Sequence, residues 1–211
     1  MQKLLIFASG TKDGGGSGFG NLIKAARDGM LQAEIVGVVS NHENGGVRKI
    51  ANENSVPFEH FEGQFTRAGY RKILKKYNPD FVALSGWLKL VLGLDPKTTI
   101  NIHPGPLPEF GGAGMYGIHV QEAVLESYRR GETKEAGLTM HFVTEIYDEG
   151  PVIFRCAVPI MPGDSPKSLA KRVNEAEHKW QPIITNRVVT GEIAWDGKNP
   201  KSLKGYTEVS C

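Results

Sequence analysis

Three scarcities bound this chain before any motif is read. Only two cysteines occur, Cys156 and Cys211, too few for the multi-bridge framework of a small secreted scaffold. No apolar run approaches the roughly 18 residues of a membrane span. The N-terminal run Leu4–Ala8 is closed by Ser9-Gly10, short of the roughly 7–15 residues of a signal-peptide core. Surplus charge is missing as well: 25 Lys+Arg against 23 Asp+Glu leave +2, which excludes a protein built chiefly to hold a nucleic acid backbone. The expectation is a soluble cytoplasmic protein with neither membrane nor nucleic acid among its partners. What is present is ordinary in amount: 211 residues, 40% hydrophobic, 23% charged, with 26 Gly and 12 Pro. At roughly 150 residues per domain that is one large domain or two small ones, long enough to bury a real core.

Along the first half, short apolar runs alternate with helical patterns. Lys3–Ala8 reads as a buried strand, followed by the glycine-rich stretch Ser9–Gly20 and a helix over Asn21–Gln32. Strands are expected at Glu34–Val39, Val56–Phe58, Phe81–Leu84 and Ile100–Ile102, and helices at Val47–Asn54 and Arg67–Tyr77. This alternation implies βαβ units and a parallel sheet with right-handed crossovers. The second half changes character. Val120–Arg129 is helical, and Leu138–Val143 and Pro151–Ile160 are strands close enough in sequence to pair antiparallel. Ser168–Val189 is the longest helical pattern, with a kink or break expected near Gln181 because Pro182 lies inside it. Gly191–Lys198 reads as a terminal hairpin turning at Asp196-Gly197. The class is α/β in a single domain, parallel first and mixed later.

The stretch Gly10–Asn21 lies between the first strand and the first helix, where free N–H groups at a helix N-terminus meet anions. Two fingerprints fail there. Gly16 and Gly18 would need a glycine at Asn21 for the dinucleotide motif, and Gly15 and Gly20 have Walker spacing but are followed by Asn21-Leu22. Phosphate binding stays open beside a plain loop capped by Asn21, and dinucleotide binding is disfavoured.

Asn101-Ile102-His103-Pro104 follows the strand ending near Ile100. Alternation puts Asn101 and His103 on one side, an amide donor and an imidazole suited to a reaction that develops an oxyanion and moves a proton. A carboxylate at Asp148, in the loop Thr144–Gly150, would orient that imidazole, favour its charged form and lift its pKa. The other histidines carry less. His119 and His141 lack companion ligands at metal spacing and read as structural, and His42, His60 and His178 show no pattern. Arg129-Arg130 and Lys75-Lys76 are solvated helix faces. Glu177 adjoins the apolar stripe of its helix, where cleft and surface are equally open to it.

Taken together, Asn101–Pro104, Leu107-Pro108, His141–Thr144 and Asp148–Ile153 resemble the folate-dependent formyltransferases, and the likeness runs from Leu4 to Gly205-Tyr206. The resemblance implies an open sheet with a Rossmann-like parallel half, residues 1–100, that binds phosphate, and a mixed half, residues 101–211, that is catalytic and binds folate. It implies formyl transfer from 10-formyltetrahydrofolate, as co-substrate and without a metal, to the amine of 5′-phosphoribosylglycinamide. The alternative is 10-formyltetrahydrofolate hydrolysis or transfer to another amine. Asn101, His103 and Asp148 correspond to the catalytic trio. Gly18, Phe19, Gly20, Asn21 and Glu177 correspond to the ribonucleotide site, and Arg67, Leu88, Lys89, Leu90, Val91 and Asn101 to the folate pocket. A monomer or homodimer is expected. Two departures stand out. The family's loop is a shorter Ser-Gly-x-Gly-Ser-Asn, so Thr11–Gly18 reads as an insertion with Gly20 in the serine's place. The rim Gly111–Gly117 is also slightly longer than usual.

Overall fold

In the computed structural model, which describes all 211 residues, strand β1 (Gln2–Phe7) lies inside the sheet and is buried on both faces. Leu4 and Ile6 enter the larger core cluster, while Leu5 and Phe7 enter a smaller one on the opposite face. That division is the period-two alternation of a strand, and it explains why the run reads as continuously apolar. Around β1 are β2 (Ala33–Ser40), β3 (Phe58–His60), β4 (Phe81–Ser85) and β5 (Thr99–His103), all parallel. Then β6 (Glu135–Phe142) and β7 (Val152–Pro159) pair antiparallel, and β8 (Thr207–Ser210) returns parallel to β7. The full order is β3-β2-β1-β4-β5-β6-β7-β8. The connection direction reverses between β1 and β4, so a crevice opens at their carboxyl ends, the usual ligand position in such sheets.

Helices α1 (Ser17–Arg27), α2 (Gly46–Glu53), α4 (Ile118–Arg129) and α5 (Pro166–Val189) pack on the face that carries the larger cluster. Helix α3 (Arg67–Tyr77) covers the other face through Tyr70 and Ile73. Its bounds are those read from the sequence, and Thr66 caps it by accepting from Gly69 N.

Three expectations need correction. Helix α1 begins at Ser17, four residues earlier than its apolar pattern, with Gly16 as N-cap at φ 88°. Helix α5 runs unbroken through Pro182. A proline there leaves the carbonyl of His178 without its i+4 donor, and Asn21 Nδ2 donates to that carbonyl at 2.5 Å. The tertiary contact replaces the lost bond, so the helix need not stop. Finally, Gly191–Lys198 is no hairpin. Asp196 accepts from the backbone of Lys198 and Asn199 (2.8 and 2.7 Å), which widens the turn. Ala194 then bridges Lys204 and the chain goes on to β8. Cys211 beyond β8 is disulfide-bonded to Cys156 of β7, Cα to Cα 5.8 Å. No helix is long and apolar enough to cross a membrane.

Candidate active site

Past the ends of β4 and β5 opens a cleft of about 450 Å³, walled by Gly86–Leu88, Asn101–Pro104, the rim Gly112–Ile118, Tyr147-Asp148 and α5 residues Asn174 and Glu177. Asn101, His103 and Asp148 meet at its floor. Asp148 Oδ1 is 3.6 Å from His103 Nδ1 and accepts from Asn101 Nδ2 at 3.4 Å, while Oδ2 accepts from Gly112 N at 2.9 Å. Asp148 takes a left-handed backbone (φ 53°), a conformation a non-glycine residue adopts at some cost and which here turns its carboxylate inward. His103 Nε2 donates to the Phe110 carbonyl at 2.8 Å, so the ring presents Nδ1 to Asp148.

A fourth residue belongs to this cluster. In the β5–β6 ladder His141 is the direct partner of Asn101. Its Nδ1 donates to the Phe142 carbonyl (2.7 Å), which leaves Nε2 to accept from Asn101 Nδ2 at 3.1 Å. His141 thereby fixes the amide of Asn101. It is the satisfied structural histidine the sequence suggests, and it holds Asn101 as well; the long-range register that reveals this contact is not written in its local sequence.

The electrostatics revise one expectation. Burial pushes the His103 imidazole below its ordinary value, and the attraction of Asp148 offsets only part of that. Asp148 moves the other way. Burial alone would raise it, but the neighbouring imidazoles of His141 and His103 and the Gly112 N–H together hold it below the usual carboxylate range. The free site therefore favours a neutral imidazole beside an ionised carboxylate, not the expected imidazolium.

Next to the cleft is a second cavity of about 230 Å³, bounded by Gly10-Thr11, Gly15–Gly18, Ser85-Gly86 and the α5 residues Asn174, Glu177, His178 and Gln181. It faces the start of α1, where no side chain caps the first-turn N–H groups and no acid stands. The free N–H groups of such a terminus suit an anion. Glycine is required for the close turns: a Cβ on Gly15 would stand 2.8 Å from Gly10 Cα. Ser17 Oγ pairs with His178 Nε2 at 3.1 Å.

Here the expected residues divide. Gly18 and Phe19 lie in the first turn with free N–H groups, though the Phe19 side chain is buried in the core. Gly20 and Asn21 follow directly in the helix. Gly20 N is already bonded to Gly16 O (3.0 Å), and the Asn21 side chain is spent on His178 O. The register read from the sequence is thus corrected: Gly14-Gly15-Gly16 forms the end of the loop, and Ser17, not Gly20, stands at the helix start. Glu177 borders both cavities, and desolvation pushes its carboxyl up to about 7, with one hydrogen bond from Asn174 Nδ2 at 3.2 Å working against the shift.

The residues expected around folate follow a chain of spaces. Leu88 borders the cleft; Lys89, Leu90 and Val91 line a small cavity that also touches Asn101 and Asp148. Val91 and Thr144 lead on to a further space of about 390 Å³ that ends at Arg67. The segment is held from below, because Tyr70 Oη donates to Leu90 O (2.9 Å) and receives Trp87 Nε1 (3.1 Å). Arg67 grips both oxygens of Glu145 at 2.6 Å, and Glu145 also accepts from Gly93 N. No group of three or more His, Cys, Asp or Glu is placed to hold a metal ion.

The formyl transferase family model matches residues 2–185. A chloroplastic phosphoribosylglycinamide formyltransferase of Arabidopsis thaliana is 37% identical over 205 residues, covering 92% of this chain and 68% of its own. Its Vigna unguiculata counterpart is 32% identical over 204 residues, covering 92% of this chain, which spans 63% of that protein. Glycinamide ribonucleotide transformylase 1 of Symbiobacterium toebii superposes with a TM-score of 0.83 at 26% identity, over 98% of this chain and 95% of that one.

Proposed function

Because the chain belongs to the formyl transferase family, we propose that it transfers the formyl group of 10-formyltetrahydrofolate to the amine of 5′-phosphoribosylglycinamide in purine biosynthesis. The observation that carries this reading is the pairing of two cavities. A cleft with a buried Asn101–His103–Asp148 cluster adjoins an uncapped helix terminus, with Glu177 between them. A phosphorylated amine held by the second would reach its nitrogen into the first. The whole chain then acts as one formyltransferase domain, and both substrates are small molecules. In this reading the protein works in the cytoplasm as a monomer or homodimer.

The roles follow from the geometry. Amine attack puts negative charge on the formyl oxygen; the Asn101 amide gives up its long 3.4 Å contact with Asp148 to donate to it, and His103 stabilises it once protonated. Asp148, ionised at rest, takes the proton that the attacking amine sheds, directly or through water. It hands that proton across 3.6 Å to His103 Nδ1, unprotonated in the free site, and His103 passes it to the folate nitrogen as the bond to it breaks. One proton leaves the amine and one reaches the departing nitrogen, so the transfer balances without outside acid. Ser17, Gly18 and Phe19 offer backbone N–H groups to the phosphate, and Glu177 meets the sugar. Leu88, Lys89, Leu90 and Val91 line the folate, whose far end reaches toward Arg67. Holding both substrates in a closed space supplies orientation and keeps water from the formyl carbon.

The test is to supply 10-formyltetrahydrofolate with and without phosphoribosylglycinamide and follow formyl loss. Loss that requires the acceptor and yields formylated ribonucleotide supports transfer. Equal loss without acceptor would make the protein a hydrolase, and loss only with a different amine would redirect the acceptor.

A further inference from the structure

Gln181 stands on α5 at the wall of the glycine-loop cavity, 2% exposed. Its Oε1 accepts from Ser85 Oγ at 3.3 Å, and no group of the protein accepts from its Nε2. Nε2 is not sealed off among protein atoms, so Gln181 keeps one amide donor free for a molecule in the cavity. Facing it is Gly18, where a Cβ would overlap Ser85 Oγ and stand 3.0 Å from Gln181 Oε1. The Ser85–Gln181 pair therefore occupies the room that any side chain at position 18 would need. The lining of this cavity contains neither Lys nor Arg. An anion bound there meets dipoles and the single imidazole of His178, already paired with Ser17 Oγ at 3.1 Å, so the loss of one donor is not made good by a neighbouring Lys or Arg.

We propose that Gln181 is a specificity-determining residue for the phosphate monoester of the acceptor. From α5 it supplies the side-chain amide donor that a helix start with glycine at position 18 does not carry, opposite the free N–H groups of α1. This rests on the reading of the cavity as the phosphate subsite, and the experiment separates the two.

Affinities for the phosphorylated acceptor and for its unphosphorylated riboside are measured by equilibrium titration, alongside steady-state constants for both substrates. Gln181→Leu is expected to weaken the phosphorylated acceptor about 10-fold or more. Riboside affinity, folate KM and kcat should stay within about twofold. The amide can also be moved across the cavity. Gly18→Asn alone should weaken the phosphorylated acceptor through its overlap with Ser85. In a Ser85→Ala, Gln181→Ala double variant, which clears both groups from that space, the same Asn should restore most of the lost affinity, which keeps the proposal testable even where Gln181→Leu does not fold. If wild type prefers the phosphorylated acceptor and Gln181→Leu retains that preference in full, the assignment of Gln181 falls while the subsite stands. Failure of the Asn to recover affinity in that double variant overturns the assignment in the same way. If the wild type binds riboside and ribonucleotide equally, the subsite reading itself falls.

Discussion

The two cavities meet along Gly86, Ile102, Asn174 and Glu177, yet they are built from opposite materials. The cleft gathers titratable groups on rigid strands: His103 and His141 from β5 and β6, and Asp148 from the loop between β6 and β7, each at least largely buried and each biasing the protonation of another. The glycine-loop cavity gathers backbone N–H groups, hydroxyls, two amides and the imidazole of His178, and its one carboxyl is shifted toward its neutral form. The difference teaches what each has to recognise. A charge that exists only in the transition state calls for groups that can change protonation as it appears. A phosphate carries its charge before and after the reaction, so fixed dipoles suffice and any excess would bind product as well as substrate. Variants on the cleft side should therefore act on kcat, and variants on the loop side on the KM of one substrate.

The most severe test falls on Asp148. Asp148→Asn keeps the shape but removes the charge, and kcat is expected to drop on the order of 10³–10⁴ with both KM values nearly unchanged. His103 should at the same time titrate at still lower pH, because the attraction that offsets its burial is gone. The linked stability has a definite sign. A histidine whose folded pKa lies below its unfolded value contributes stability at neutral pH that fades as pH falls from about 6.5 through the folded value. The variant should lose more stability over that window than the wild type. An NMR titration of His103 that does not move in Asp148→Asn would remove the pairing, even with activity lost. Next in size is Asn101→Ala. Loss of one oxyanion donor typically costs on the order of 10²–10³ in kcat. A change confined to the folate KM would make Asn101 a folate-positioning residue and break the contrast between the two cavities.

Glu177 sits on the border, so it tests whether the contrast is sharp. A carboxyl held at about 7 lends the protein stability below its ordinary 4.5 that is lost as pH rises toward 7. Melting temperatures of the wild type should therefore decline between those values relative to Glu177→Gln, whose curve should be flatter. The same variant is expected to raise the KM of the acceptor by about 10-fold or less, the scale of one hydrogen bond, and to flatten its dependence on pH near 7. A loss of kcat with KM intact would place Glu177 with the catalytic cluster.

Most of the fold was legible because its signals are local. The β1 run, the exact span of α3 and the Asn101-x-His103 alternation each follow from spacing within a few residues. What escaped depends on distant partners. His141 gains its role from lying opposite Asn101, 40 residues away. Pro182 fails to end α5 because Asn21, 157 residues before His178, supplies the missing hydrogen bond. Gln181 was read only as the place where the helix would kink, since nothing near it in sequence announces a cavity. The start of α1 was misplaced for a different reason: Ser17, Gly18 and Gly20 are weak helix formers and Phe19 is the one apolar residue among them, so the first turn does not announce itself as helix.

The smallest expected effect comes from that misplaced turn. Gly20 was expected to touch phosphate, yet its N–H is bonded to Gly16 and a Cβ there would meet only Ile50, at an ordinary 3.6 Å from Cγ2. Its backbone φ is not positive, so an L side chain fits without strain. Gly20→Ala thus replaces a poor helix former with the best one at a position with room for a methyl group. The expected gain is about 0.5–1 kcal/mol, or roughly 1–4 °C in Tm for a chain of this length, with the acceptor KM unchanged. Gly18→Ala, two residues earlier, should do the reverse, because its Cβ overlaps Ser85 Oγ: the acceptor KM rises and Tm does not. If instead Gly20→Ala raised the acceptor KM and Gly18→Ala left it alone, the anion would lie one turn further along α1. The free N–H groups of Ser17–Phe19 would then be satisfied by water alone.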